Sequence, residues 1–259
     1  MTSGGLIVIT AHPDDEVLIG GGALAACSER GISTGVVCLT RGDEGPIADP
    51  GLATRETLPE VRVAELQASC HALGVDWVEC YPWPDGFLQW SDAEAIVGQL
   101  EGMLAEHRPG AVITFGPDGL YYHPDHIATH QFTVQAVGRL PHPPDIYRSA
   151  WPAELMRELI DVLTARALPT DLWGLHPATF GVGAEDQVGA VEIDVRGHAR
   201  RKLAALRCHR TQVGSEHAFS SLPDDLVERF LGVERYVPLQ GEPGEGWLEQ
   251  ALGAVRLHA

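Results

Sequence analysis

The first half of the chain alternates short, unbroken apolar runs with longer segments of helical period. Leu6-Ile7-Val8-Ile9-Thr10 has no polar alternation, which suits a strand covered on both faces. Residues Val17 to Arg30, rich in Ala and Leu, read as a helix stopped by Gly31, and Gly35 to Thr40 as a second buried strand. The order repeats: helix from Glu60 to Leu73 closed by Gly74, strand from Trp77 to Tyr81, helix from Asp92 to His107, strand from Ala111 to Phe115, helix from His123 to Arg139. Strands alternating with helices predict an α/β fold, a Rossmann-like and mostly parallel sheet flanked by helices.

Past Pro141 the pattern loosens. A helix is expected from Ala153 to Ala167, an alternating edge strand from Val188 to Val195 and a helix from Gly197 to His209. The Gly-rich tail from Gly241 is expected to cover the surface. No linker interrupts the chain, so residues 1–259 read as a single domain whose part beyond about 141 shapes a pocket rim.

Charge narrows the partners. With 18 Lys and Arg against 36 Asp and Glu, the net charge of −18 argues against nucleic acid and against anionic lipid. A small-molecule substrate is expected, without nucleic acid and without membrane. The five cysteines are odd in number and form no C-x-x-C pair, so reduced thiols are expected. The apolar run at Leu6 is too short for a signal peptide or a span, which gives a cytoplasmic expectation.

Two segments carry candidate chemistry. His12-Pro13-Asp14-Asp15-Glu16 follows the first strand, and His123-Pro124-Asp125-His126 follows the strand that ends at Phe115. Open α/β sheets bind ligands at the carboxyl ends of their strands, so the two clusters can meet. His12, one Asp and one His of the second cluster would make the three-ligand set of a catalytic metal site, leaving the other Asp as general base. Alone, Asp14, Asp15 and Glu16 would read as helix capping; the paired clusters favour the metal. Gly20-Gly21-Gly22 lies too far past the strand for a dinucleotide loop and needs something packed close to it.

His-Pro-Asp-Asp-Glu followed by His-Pro-Asp-His resembles the LmbE/PIG-L zinc-dependent N-acetylglucosamine deacetylases. The resemblance extends to Thr40-Arg41-Gly42-Asp43-Glu44-Gly45, to Arg62-x-x-Glu65-Leu66, and to Lys202-x-x-Ala205-Leu206-x-x-His209-x-x-Gln212. It implies His12, Asp15 and His126 as ligands of Zn²⁺, with Fe²⁺ compatible with the same donors. It implies Asp14 as general base and His123, held as an imidazolium by Asp125, as oxyanion stabiliser. It also suggests substrate contacts from Arg62 and Tyr121, while Asp85, in Pro84-Asp85-Gly86, reads either as a ligand of a sugar hydroxyl or as a turn former. Tyr122 competes with Tyr121, and His130 is expected to be structural. The roles of His209 and Gln212 do not follow from the resemblance.

The expected reaction is hydrolysis of the N-acetyl group of a GlcNAc conjugate, releasing acetate and a free amine. Arg55 to Pro59 with Arg62 is similar to bacillithiol-pathway enzymes, which points to GlcNAc-malate, its carboxylate met by an arginine fork. The alternatives are GlcNAc-inositol, a mycothiol S-conjugate, an antibiotic sugar, or a non-catalytic sugar- or metal-binding protein. Family members are often multimers, so the resemblance admits a homo-oligomer.

Overall fold

A computed structural model describes residues 4–179, 189–239 and 246–257. The strands are β1 (Leu6–Thr10), β2 (Thr34–Thr40), β3 (Trp77–Trp83), β4 (Ala111–Thr114), β5 (Asp145–Ser149), β6 (Val191–Asp194), β7 (Val233–Pro238) and β8 (Val255–Arg256). The helices are α1 (Asp15–Glu29), α2 (Leu58–Leu73), α3 (Ala93–His107), α4 (Gly119–Tyr122), α5 (Pro124–Arg139), α6 (Ala153–Ala165), α7 (Ala199–Leu206), α8 (Asp224–Leu231) and α9 (Trp247–Leu252).

Among the described residues these eight strands form one sheet in the order β3-β2-β1-β4-β5-β7-β6-β8. The first five pair in parallel, and β7, β6 and β8 add on antiparallel. The α/β reading therefore holds. In this order the chain leaves β1 toward β2 on one side and returns to β4 on the other. The topological switch point, where such sheets open a crevice, thus lies between the ends of β1 and β4.

Beyond Pro141 the structure corrects several expectations. The segment expected as an edge strand is β6, flanked by β7 on one side and β8 on the other; residue 188 of that expectation lies outside the described residues. The tail does more than cover surface, because α9 buries Trp247 and Leu248. The strand β5 was not anticipated among the prolines, nor were α8 and β7. Among the described residues no helix is long and apolar enough to cross a membrane.

Helix α1 is buried from Asp15 to Cys27, as a helix apolar all round should be. Its three glycines answer a close approach. A Cβ on Gly20 would lie 2.7 Å from Val8, and one on Gly22 would lie 2.9 Å from the Glu234 carboxylate. Glu234 reaches in from β7 and accepts the N–H groups of Gly22 and Ala23, each at 2.8 Å. The Lys202 ammonium, from α7, donates to the same carboxylate at 2.6 Å.

Candidate metal centre

The turn after β1 carries His12 to Glu16, and the segment after β4 ends at His123 and α5. His123 is the cap of α5: its Nδ1 accepts the Asp125 N–H at 3.2 Å, and Pro124 opens the helix. Asp125 and His126 thus sit in the first turn of α5, facing β1.

His12 Nδ1 and His126 Nε2 stand 3.2 Å apart. The Asp15 carboxylate lies 3.3 Å from each of them. Two ligands about 2.1 Å from a tetrahedral centre are themselves about 3.4 Å apart, so these separations, from His12 to Oδ2 and from His126 to Oδ1 of Asp15, suit a zinc-sized ion. The outward nitrogens are oriented as metal-bound imidazoles require. His12 Nε2 faces Asp85 Oδ1 at 3.0 Å and Asp125 Oδ2 at 3.3 Å, and His126 Nδ1 faces the Gly119 carbonyl at 3.1 Å. Those acceptors place a proton on the outer nitrogen and a lone pair on the inner one. Two other trios, His12-His123-His126 and His12-Asp85-Asp125, also bring ligand atoms within 4.8 Å of one another. The Asp15 set is favoured because its groups approach one another to 3.2–3.3 Å, whereas the Asp125 carboxylate is taken up by the Gly86 and Leu88 N–H groups.

Asp14 lies beside the triangle with φ of 117°, a left-handed conformation that side-chain-bearing residues rarely take. Its carboxyl is pushed up to about 7, chiefly by burial and further by Asp15, with Arg62 opposing. A carboxylate so tuned can take a proton near neutral pH.

Four expectations change at this point. Asp125 does not hold His123 with its side chain. Its carboxylate accepts the N–H groups of Gly86 (2.7 Å) and Leu88 (3.0 Å) and supports His12. His123, with Nδ1 accepting an N–H, carries its proton on Nε2, and its pKa is pushed down to about 4 by burial and by His126 and His12. The imidazolium expected from the sequence is replaced by a neutral ring that still offers one N–H.

Arg62 is buried and its terminal nitrogens donate to the Gly42 and Pro13 carbonyls and to Asp14 Oδ2. The fork expected for a substrate carboxylate is thus engaged in holding the base. Gly42 and Gly45 have no side chain because a Cβ on either would lie 2.3 Å from the Arg62 guanidinium. Asp85 binds His12 and accepts the Glu44 N–H, so neither of its oxygens is reserved for a sugar hydroxyl.

Tyr121 and Tyr122 separate clearly. Tyr121 packs edge-on against His126, with ring centroids 5.0 Å apart, and lines the pocket; Tyr122 points to solvent. His130 Nδ1 lies 2.9 Å from the Phe115 carbonyl, a structural contact as expected. Gln212 ties the loop after α7 to the Pro46 carbonyl.

His12, Asp14 and Asp15 line a cavity of about 250 Å³ together with Arg62, Asp85, Tyr121, His123, Trp173 and Gln212. Sequence reasoning missed Trp173, which has φ of 55° and follows the fully buried Leu172. It also missed the buried pair of Glu16 and His209, although His209 belonged to a recognised motif. A larger groove of about 1000 Å³ opens on Pro109, Leu140 and Trp247, and no sequence-predicted site residue lines it.

The profile of the family described as PIG-L: GlcNAc-PI de-N-acetylase matches residues 7–137, which include every proposed metal ligand. A 1D-myo-inositol 2-acetamido-2-deoxy-alpha-D-glucopyranoside deacetylase of Acidothermus cellulolyticus is 32% identical over 91% of this chain and 89% of its own length. An enzyme of the same name from Mycobacteroides abscessus is 31% identical over 99% of this chain and 100% of its own. Among solved structures, the N,N'-diacetylchitobiose deacetylase of Pyrococcus horikoshii superposes with a TM-score of 0.62 at 21% identity, covering 91% of this chain and 83% of that one. GalB, a 4-carboxy-2-hydroxymuconate hydratase from Pseudomonas putida, superposes with a TM-score of 0.64 at 18% identity, covering 94% and 99%. Likeness at that level shows the fold alone, since one fold hosts different reactions. The match over half the chain and the near full-length relatives place this chain in the PIG-L family of GlcNAc de-N-acetylases.

Proposed function

We propose that this protein is a metal-dependent hydrolase that removes the acetyl group from a GlcNAc conjugate. The observation that carries the reading is the 3.2–3.3 Å triangle of His12, His126 and Asp15 with the strained Asp14 beside it. A divalent cation held by those three side chains, zinc or Fe²⁺, would acidify a water and polarise the acetyl carbonyl. Asp14 takes the proton of the attacking water and later returns it to the departing amine. His123, through Nε2–H, donates to the oxygen that gains negative charge at the tetrahedral stage. Arg62 holds Asp14 from outside the reaction path, and Asp85 and Asp125 fix the His12 ring.

The aglycone reading shifts from malate toward an uncharged polyol such as inositol. Among the described residues the cavity presents Asp14, Asp15, Glu44 and Asp85, and its one arginine, Arg62, is engaged internally, which leaves no side-chain cation beyond the proposed metal to meet a dicarboxylate. The relatives named above act on an inositol conjugate by their names, which supports the same direction.

Acetate release measured on GlcNAc-inositol, GlcNAc-malate and free GlcNAc tests both levels. The inositol conjugate should give the highest kcat/KM. Preference for malate would overturn the aglycone reading, and binding without any acetate would overturn the hydrolase. Stripping the protein with a chelator should abolish turnover, and about one divalent ion per chain should restore it. Turnover that survives complete removal of metal would remove the cation from the reaction.

A further inference from the structure

Asp14 needs to be held. A non-glycine residue in a sparsely populated backbone region costs on the order of 1–3 kcal/mol and persists only where its surroundings enforce it. Arg62 restrains the Asp14 side chain and the Pro13 carbonyl. The Asp14 main chain is restrained from the other direction: its N–H donates to Glu16 Oε2 at 2.9 Å.

Glu16 is fully buried, so its second oxygen must be satisfied as well. Glu16 Oε1 accepts Ser69 Oγ from α2 at 2.5 Å and faces His209 Nε2 at 2.8 Å. His209 is also fully buried, and its Nδ1 has no hydrogen-bond partner among the described residues. With no acceptor at Nδ1, the ring proton belongs on Nε2, aimed at Glu16. The loop that carries His209 is pinned in turn. Thr211 donates through N–H and Oγ1 to the two oxygens of Glu65, at 2.8 and 2.6 Å.

We infer that His209 is a positioning residue for the hydrolytic step, fixing the Glu16 carboxylate that holds the Asp14 main chain in its left-handed turn. This assigns a task to the histidine of the Lys202…His209…Gln212 motif, whose Lys202 and Gln212 hold Glu234 and the Pro46 carbonyl. The inference rests on Asp14 as the base, but its structural half can be read without turnover.

The experiment compares wild type, His209→Ala and His209→Gln as metal-loaded enzymes. In His209→Ala kcat should fall about ten- to a hundredfold, the scale of a small misplacement of a catalytic group. KM and bound metal should stay within about twofold of wild type. Free imidazole should restore part of the loss by filling the vacated site, and His209→Gln, which keeps an N–H donor, should lie between the two. Separately, amide hydrogen exchange at Asp14 should speed up in His209→Ala, whether or not the substrate is correctly identified.

Unchanged kcat in folded His209→Ala overturns the inference, as does a loss that neither imidazole nor Gln relieves. Unchanged exchange at Asp14 overturns it too. Should the alanine variant not fold, His209→Gln and its Asp14 exchange carry the decision. A wild type that releases no acetate sinks the hydrolase reading instead, and the exchange result then still decides the role of His209.

Discussion

Asp14→Asn should bind metal as well as wild type and lose about 10²- to 10⁴-fold in kcat, the usual contribution of a general base. Several features make this a clean substitution. The triangle of ligand atoms does not include Asp14, so the donor set survives. The bond to Glu16 leaves from the main-chain N–H and is untouched. Asn tolerates the left-handed backbone as readily as Asp and keeps an oxygen for Arg62. Only the ability to take a proton is removed. Steady-state kinetics with metal content and melting temperature on one sample would check it; kcat within a few-fold of wild type would take Asp14 out of the mechanism.

The second large effect is on stability. Lys202→Met should destabilise the protein by about 3–5 kcal/mol, because it leaves the Glu234 carboxylate buried without its cation. Burial works against the charge on Glu234, and Lys202, Tyr236 and the Gly22 N–H outweigh it, so its pKa lies below the ordinary value. The sign of the pH dependence follows. A carboxyl depressed in the folded state contributes stability above its unfolded pKa and loses it as pH falls through the folded value. Wild type should therefore keep this contribution through the ordinary glutamate range and lose it only in stronger acid. In Lys202→Met burial is no longer offset by the ammonium, so Glu234 should protonate at higher pH. Urea midpoints at pH 7 and about pH 4.3 would show it. Equal midpoints for the two proteins at pH 7 would mean the pair is energetically idle.

The sequence revealed more of the site's chemistry than of its scaffolding, for a physical reason. His12 and His126 could be brought together in advance because each follows a buried apolar strand, and strand ends converge at the switch point. The partners of Asp125 could not. Its carboxylate is claimed by the N–H groups of Gly86 and Leu88, and backbone donors have no residue-type signature. Arg62 misled for a related reason: an arginine near a site reads as a ligand-binding group until its carbonyl acceptors at Pro13 and Gly42 are known.

In the fold, Leu6 to Thr10 announced itself by burial on both faces, whereas Asp145-Ile146-Tyr147-Arg148-Ser149 carries polar residues at three of its five positions and sits behind three prolines. That strand is specified by its neighbours β4 and β7, which lie far away along the chain. The glycine run in α1 was recognised as needing a close neighbour, but Glu234 stands 212 residues beyond Gly22 and nothing local names it.

That separation has a practical meaning. A half-length protein ending at residue 137 would retain His12, Asp14, Asp15, His123 and His126, yet it would lack the acid that threads into α1 and the imidazole behind Glu16. Such a fragment should expose the glycine-rich helix to water and fail to assemble a working centre. Arg62, Asp85 and Asp125 hold the reactive groups from within their own half, but the supports behind α1 and Glu16 come from the far end of the polypeptide, so the half that carries the chemistry is not self-sufficient.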